Sequence, residues 1–501
     1  MELSISQILI GLEQLHYEIS TESRQVRVGL KDEQHIEPIL KKYDWLASRE
    51  VVDFLARELR NAPDEDSRER LGRLWFSCIG DYIYKTLAPL DDKLHTELSK
   101  AIVRFNGEQI NYYNLQPRLQ RESSFEKREV IGVALDAVHG QFNPLQLEML
   151  KKNLALLTGE LKFAHYIDYC QKKKQFEYGR FAESLRASLA RTEALYRTHI
   201  SRWCEERLAR PFGTLNRYHV AHLMQMSEFD VHFPKERMLP QLMGTLRSLG
   251  IDLETMINIR LDLADRDKKN PRACCYAARV PGEVHLILKP IGGLTDYDTF
   301  LHEAGHALHY GNTDASSPYE YRKLGRSNAL TEIYAFTFQN ILMNLHWLQT
   351  VMGMDEATAR RLRYYTILRD LYMFHRYCAK LLTELAFFQH GDWNDGGLYA
   401  RTLTEATGFV YRDVNYLFDM DSEFYSADYL RAWIGEASLA NHFEQQFGPR
   451  WAVNPDAGRF FLLLWRQGEK PSAEQIISFT GQKPLDLSCL ENRFIEMETL
   501  L

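Results

Sequence analysis

Two histidines and a glutamate in residues 302–309 have the types and the spacing needed to bind a metal ion and move a proton. His302 and His306 are four residues apart, so on a helix their imidazoles project from one face and can bind the same ion. Glu303 completes an H-E-x-x-H pattern, which is typical of zinc peptidases. A carboxylate at this position can accept a proton from a zinc-bound water. We therefore expect one Zn²⁺ per chain, with both histidines as ligands and Glu303 as the general base.

A catalytic zinc ion needs a third protein ligand and one open position. An extended motif with a further histidine is absent, because that position is Asn312. His309 is too far along the helix axis from the first histidine to reach the same ion. Glu332 lies in an amphipathic segment, residues 327–336, that is predicted to form the next helix, and it is the favoured third ligand. Glu320, in a more loop-like stretch, is the alternative.

The elements that must position these residues can be predicted from local patterns. The helix that carries the histidines should begin with Thr295 as its cap and Asp298 as the acidic half of a capping box, and end near Gly311. Two strands are expected just before it, over residues 274–279 and 284–289, with a Pro-Gly turn between them. Most of the remaining chain has the composition and periodicity of helices.

Composition excludes several other classes of protein. The chain has 501 residues, 45% hydrophobic and 26% charged, which fits a globular protein with a large core. A formal net charge of −7 argues against a nucleic-acid partner. No stretch is long and apolar enough for a membrane span, and residues 1–20 have the periodicity of an amphipathic helix rather than a signal peptide. The seven cysteines are mostly isolated, which indicates free thiols and a cytoplasmic location.

The motif in residues 302–309, followed by Glu332, resembles the zinc oligopeptidase family of thimet oligopeptidase and oligoendopeptidase F. That family has H-E-x-G-H-x-x-H and a glutamate on the next helix. The similarity spans about residues 255–450. It includes residues 262–266, 272–276, 284–289, 424–429, 433 and 441–444. The resemblance implies a mainly α, two-lobed helical metallopeptidase with a deep channel and a small β-sheet beside the zinc helix.

On this basis, residues 1–205 are expected to form an N-terminal helical region. Residues 206–501 are expected to form the catalytic region, with the small sheet at about residues 272–290. The implied activity is hydrolysis of peptide bonds in short unfolded peptides. The strand over residues 284–289 resembles the family's edge strand, which would pair with the peptide backbone.

The resemblance also implies that Tyr429 or Tyr425 donates a hydrogen bond to the developing oxyanion. Two departures bear on that role. Residues 417–423 contain neither the histidine nor the glycines usual in the family's loop, and Ala432 stands where another tyrosine often follows. Which residue stabilises the oxyanion is therefore left open by the sequence.

Three alternatives remain at this point. A metallocarboxypeptidase of the carboxypeptidase Taq type is also helical and has a similar motif, although its accessory histidine and arginine motifs are not found here. A peptide-binding protein could keep the zinc site with weak catalysis. A structural helical protein could carry the motif by chance. The sequence leaves the preferred side chains, endo- or exo-cleavage and the oligomeric state open.

Overall fold

Helices make up most of residues 3–105, 107–391 and 393–500, which the computed structural model describes. In the first half of the chain they are α1 (Ile5–Arg27), α2 (Ile36–Lys42), α3 (Arg49–Arg60), α4 (Glu65–Lys100), α5 (Tyr112–Arg121), α6 (Phe125–Ala155), α7 (Tyr166–Lys174), α8 (Tyr178–Leu208), α9 (Val220–Leu223) and α10 (Lys235–Ser248). In the second half they are α11 (Leu294–Asn312), α12 (Tyr319–Arg322), α13 (Ala329–Gln339), α14 (Leu345–Thr350), α15 (Glu356–His390), α16 (Gly397–Thr407), α17 (Tyr416–Asp419), α18 (Tyr425–Phe447), α19 (Pro455–Trp465), α20 (Ala473–Phe479) and α21 (Ser488–Glu496). The expected mainly α fold is confirmed. Among the described residues, no helix has both the length and the apolar character to cross a membrane.

Within the described ranges, the strands form two small sheets. The first is an antiparallel pair of β1 (Ile102–Phe105) and β2 (Glu108–Asn111). The second contains β3 (Ile259–Asp262), β4 (Cys274–Arg279) and β5 (Glu283–Ile287) in the order β3-β5-β4. β4 and β5 are the two predicted strands, and they pair antiparallel.

One expectation for the sheet is wrong. The strand over residues 284–289 was expected at an edge, but β5 is the central strand, because β3 pairs with it in parallel on the other side. β3 is only four residues long, which is too short for a clear alternating pattern. The edge strands of this sheet are therefore β3 and β4.

The described residues divide into two compact units. The first unit contains those of Met1–Lys85, Ser227–Arg363 and Arg431–Leu490. The second unit contains those of Thr86–Met226, Tyr364–Leu430 and Glu491–Leu501. Each unit thus combines segments that are distant in sequence.

The core of the first unit is built around α11, which packs on α13, β4, β5, α10 and α19. Its apolar side chains Phe300, Leu301 and Leu308 have no exposed surface. Removing such side chains from water contributes about 1.5–3 kcal/mol each to folding. α11 is consequently held on several sides, and its polar side chains have fixed surroundings.

Gly305 allows α11 and α13 to approach closely. A Cβ atom at this position would lie 2.6 Å from the Cα atom of Ala335 and 2.8 Å from the backbone oxygen of Tyr334. Both are backbone atoms, so neither can rotate away. The absence of a side chain at Gly305 therefore sets the spacing between the two helices.

The second unit has its own apolar clusters and buried ion pairs. One cluster joins β2, α5 and α6 through Ile110, Leu115 and Leu135. Lys174 and Asp428 form a buried ion pair of 2.8 Å between α7 and α18. Removing one partner of such a pair costs about 3–5 kcal/mol, so this pair fixes the beginning of α18 within the unit.

Candidate metal centre

α11, which carries both histidines, begins at Leu294 and not with Thr295 as its cap. The backbone N–H of Leu294 donates to Asp230 at 2.8 Å, and Gly293 precedes the helix with a φ of 98°. The expected capping box of Thr295 and Asp298 is therefore wrong, because a distant aspartate satisfies the helix start. Asp298 is left available for another contact.

The structure brings three of the predicted residues together. The ligand atoms of His302, His306 and Glu332 all lie within 4.8 Å of one another. The carboxylate of Glu332 reaches both rings: Oε2 lies 3.5 Å from Nε2 of His302, and Oε1 lies 3.7 Å from Nε2 of His306. The two histidines are one turn apart on α11, and Glu332 is in the first turn of α13.

This donor set fits a zinc ion. Zinc binds histidine nitrogens and carboxylate oxygens at about 2.0–2.2 Å, and tetrahedral geometry then separates neighbouring donor atoms by about 3.3 Å. The separations between Glu332 and the two histidines, 3.5 and 3.7 Å, are close to that value, and all three ligand atoms lie within 4.8 Å of one another. With three protein donors, one position stays open for water, as in catalytic sites.

The protonation of the site suits metal binding and proton transfer. Burial lowers the pKa of His306 to about 4, so its ring is neutral near pH 7 and keeps a lone pair for a metal. Burial also raises the pKa of Glu303, while His302 opposes this shift and the charge of Glu332 adds to it. The backbone N–H of Cys275, in β4, acts in the opposite direction and lowers the pKa of Glu303. The edge strand β4 packs against α11, the helix that carries Glu303.

Two further polar residues, Gln339 and Asp298, lie on the Nδ1 side of the His302 ring. The Nδ1 atom of His302 is 2.9 Å from Oε1 of Gln339, the last residue of α13. The Nε2 atom of Gln339 donates to both carboxylate oxygens of Asp298, each at 3.0 Å. The Nε2 atom of His302 is therefore the ring nitrogen that faces Glu332, and Nδ1 faces away from it.

The other candidates for the third ligand lie elsewhere in the first unit. Glu320 is buried in α12, where its carboxylate is 3.1 Å from the guanidinium of Arg70. His309 is fully buried, and its ring centre lies 5.0 Å from that of Tyr310 and 4.9 Å from that of Tyr334. Neither belongs to the group of ligand atoms that includes Glu332.

Tyr425 and Tyr429 belong to the second unit, in the first turns of α18. Both are partly exposed. Their rings meet edge to face at 4.8 Å, and the ring of Tyr377 lies 5.3 Å from that of Tyr429. Their assignment to the oxyanion stays a prediction.

The segment before these tyrosines lacks glycine but adopts glycine-like backbone angles. Glu423 and Phe424 have φ values of 52° and 51°, in the left-handed region that costs most residues energy. Contacts within the second unit hold this conformation: the Glu423 carboxylate accepts from Lys173 at 2.6 Å and from Tyr169 at 2.7 Å. The start of α18 is consequently anchored rather than joined through a glycine-rich loop.

Sequence patterns did not indicate two polar residues that are linked to His302 by hydrogen bonds. Gln339 contacts a histidine that is 37 residues away, and a lone glutamine at a helix end carries no motif. Asp298 was predicted to act locally at the helix start. Its spacing of four residues before His302 places both on one face of α11, and this was the available signal.

The structure is similar to those of solved peptidases. PZ peptidase A, solved with an inhibitor, has a TM-score of 0.63 and 16% identity, over 97% of this chain and 91% of that one. A proposed oligoendopeptidase F has a TM-score of 0.68 and 15% identity, and the match covers 97% of this chain and 90% of that one. A second proposed oligoendopeptidase F, from Bacillus anthracis strain Ames, has a TM-score of 0.65 and 14% identity, and the match covers 100% of this chain and 96% of that one. The sequence matches no family model and no curated protein. The chain thus has the fold of the oligoendopeptidase F and PZ peptidase structures, and the resemblance read from the motif is confirmed for the fold.

Proposed function

We propose that this protein is a zinc-dependent peptidase that hydrolyses peptide bonds in short, unfolded peptides. The observation that carries the proposal is the group formed by His302, His306 and Glu332, whose ligand atoms lie within 4.8 Å of one another. Glu303 follows the first of these residues on the same helix. The similarity of this fold to the solved peptidase structures supports the same conclusion.

Each residue of the site has a defined task in this reaction. His302, His306 and Glu332 would hold the zinc ion. When bound there, zinc would lower the pKa of water and polarise the scissile carbonyl. Glu303 would accept the proton of the attacking water and later deliver it to the leaving amine. Burial supports this role, since it raises the pKa of Glu303 and so strengthens the carboxylate as a proton acceptor.

The sheet gives a physical reason for a peptide substrate. β4 is an edge strand, and it packs against α11, the helix that carries the proposed base. An extended peptide can add to such an edge through backbone hydrogen bonds, which bind it without reading its side chains. We assign β4 this role in place of β5. Tyr429 or Tyr425 would donate to the oxyanion.

A mass-spectrometric time course on a mixed library of short peptides tests the proposal. The zinc-loaded protein should generate internal cleavage products, and the chelator-treated protein should generate none. Removal of single C-terminal residues would instead support a metallocarboxypeptidase. Zinc and peptide binding without any product would indicate a binding protein and would contradict the proposed activity.

A further inference from the structure

A short chain of hydrogen bonds connects His302 to the carboxylate of Asp298 through the amide of Gln339. Nδ1 of His302 lies 2.9 Å from Oε1 of Gln339, and Nε2 of Gln339 lies 3.0 Å from each carboxylate oxygen of Asp298. Asp298 and His302 are four residues apart on α11, and Gln339 ends α13. The three side chains therefore link both helices of the candidate metal centre.

The donors and acceptors of this chain fix the position of one proton. The NH₂ group of Gln339 faces Asp298 and donates to both of its carboxylate oxygens, because an amide nitrogen is a donor and not an acceptor. The amide oxygen of Gln339 then faces His302 and also can only accept. Nδ1 of His302 must consequently carry the ring proton. A neutral imidazole has one protonated nitrogen, so Nε2 keeps its lone pair.

We propose that Asp298 and Gln339 are positioning residues that hold His302 in the tautomer able to bind a metal. This inference rests on the proposed function, because it presumes that Nε2 of His302 binds zinc. Nε2 is the nitrogen that lies 3.5 Å from Glu332. Residues that orient a metal-binding histidine typically change metal affinity by about 10–100-fold when they are replaced.

The position of Gln339 gives α13 two tasks. Glu332 and Gln339 are seven residues apart, which is two helical turns, so they lie on the same face of α13. One supplies a donor atom to the ion, and the other orients a donor on α11. The group that contacts Nδ1 of His302 is the neutral amide of Gln339.

Asp298→Asn tests this arrangement with almost no change in shape. An asparagine can accept through its oxygen or donate through its nitrogen, so the orientation of Gln339 is no longer enforced. When the amide of Gln339 rotates, its NH₂ group faces Nδ1, and the ring proton must move to Nε2. We expect the zinc dissociation constant of Asp298→Asn to rise by about tenfold or more.

The double variant Asp298→Asn with Gln339→Glu should restore zinc affinity. The new glutamate accepts from Nδ1 of His302 through one oxygen and from the amide of the new asparagine through the other. The required tautomer is then enforced again. If Asp298→Asn weakened zinc binding only because the protein unfolded, adding Gln339→Glu would not restore the zinc affinity.

The experiment measures zinc affinity by competition with a chromophoric chelator, for the wild type and for these two variants. Asp267→Asn, an exposed position in the turn before β4, is the matched control for loss of one carboxylate and should bind zinc like the wild type. Thermal unfolding of the zinc-free proteins reports on the fold. The ¹⁵N chemical shifts of the His302 ring report on the tautomer without any activity measurement.

The possible results separate this inference from the proposed function. Weaker zinc binding in Asp298→Asn, a shift of the ring proton to Nε2 and recovery in the double variant would support it. Wild-type affinity in Asp298→Asn, or no recovery in the double variant, would overturn the positioning role and leave the zinc site intact. Failure of the wild type to bind zinc would overturn the proposed function and this inference together.

Discussion

Gly305→Ala tests whether the close approach of α11 and α13 builds the metal centre. A new Cβ atom would lie 2.6 Å from the Cα atom of Ala335 and 2.8 Å from the oxygen of Tyr334. Ordinary contacts between these atom types are about 3.5–4 Å. The two backbones must therefore separate by about 1 Å. Glu332 is one turn from Ala335, so its carboxylate should move away from both histidines.

The change in the free energy of unfolding for Gly305→Ala can be compared with that for a glycine-to-alanine substitution at a helical position with open space around it. Overpacking typically costs about 1–3 kcal/mol, and the upper end applies here because both contacts are to backbone. Alanine regains about 1 kcal/mol of helix propensity, which leaves a net loss of about 2 kcal/mol. A Cβ atom added at Gly244, in α10, would meet no atom within 4 Å, so Gly244→Ala should gain about 1 kcal/mol. The two variants should differ by about 3 kcal/mol.

Thermal and denaturant unfolding of the zinc-free proteins measure this difference, and competition with a chelator measures zinc affinity. Gly305→Ala should unfold earlier than the wild type and bind zinc more weakly. Gly244→Ala should unfold later and bind zinc normally. Unchanged stability and zinc affinity in Gly305→Ala would refute the view that this contact sets the geometry of the site.

Three further predictions concern the ligands, a buried carboxyl and the tyrosines. Glu332→Ala should lose most zinc affinity in a metal titration, whereas Glu320→Ala should keep it; the reverse result would show that the ligand assignment is wrong. Burial raises the pKa of Glu469 to about 7, from an ordinary value of 4.5, so stability should fall as the pH rises between these values. At pH 8, thermal unfolding should give Glu469→Gln a free energy of unfolding up to about 3 kcal/mol higher than that of the wild type. At pH 4.5 this difference should be absent. A difference in the free energy of unfolding that does not change with pH would contradict this prediction. Tyr429→Phe should raise the activation free energy of the catalysed step by about 3 kcal/mol. It should therefore lower kcat with little change in KM. Tyr425→Phe should do the same only if both phenols share the task, and wild-type kinetics in both variants would exclude them.

The parts of the site that depend on local periodicity could be predicted from the sequence. The i, i+4 spacing of His302 and His306 fixes their common face on any helix. The segment around Glu332 has a polar start and an apolar run, which predicts a helix at the right place. The strands over residues 274–279 and 284–289 were indicated by their composition and the turn between them.

The parts that depend on tertiary contacts could not be predicted. The cap of α11 comes from Asp230, 64 residues before Leu294, so the local Thr-Asp pattern was misleading. β5 became the central strand because the short β3, which has no clear pattern of its own, pairs with it. The role of Gln339 depends on how closely α11 and α13 pack, and no spacing in the sequence records that distance.

The most direct test of the central claim is the turnover and the zinc content of Glu303→Gln, measured on the same preparation. Glutamine keeps the size of the side chain but cannot accept the proton of water. We predict that zinc stays bound at one ion per chain while kcat for a short peptide falls by at least about two orders of magnitude. Glu444→Gln, an exposed position in α18, should match the wild type in both measurements. Near-normal turnover by zinc-loaded Glu303→Gln would contradict the proposed mechanism.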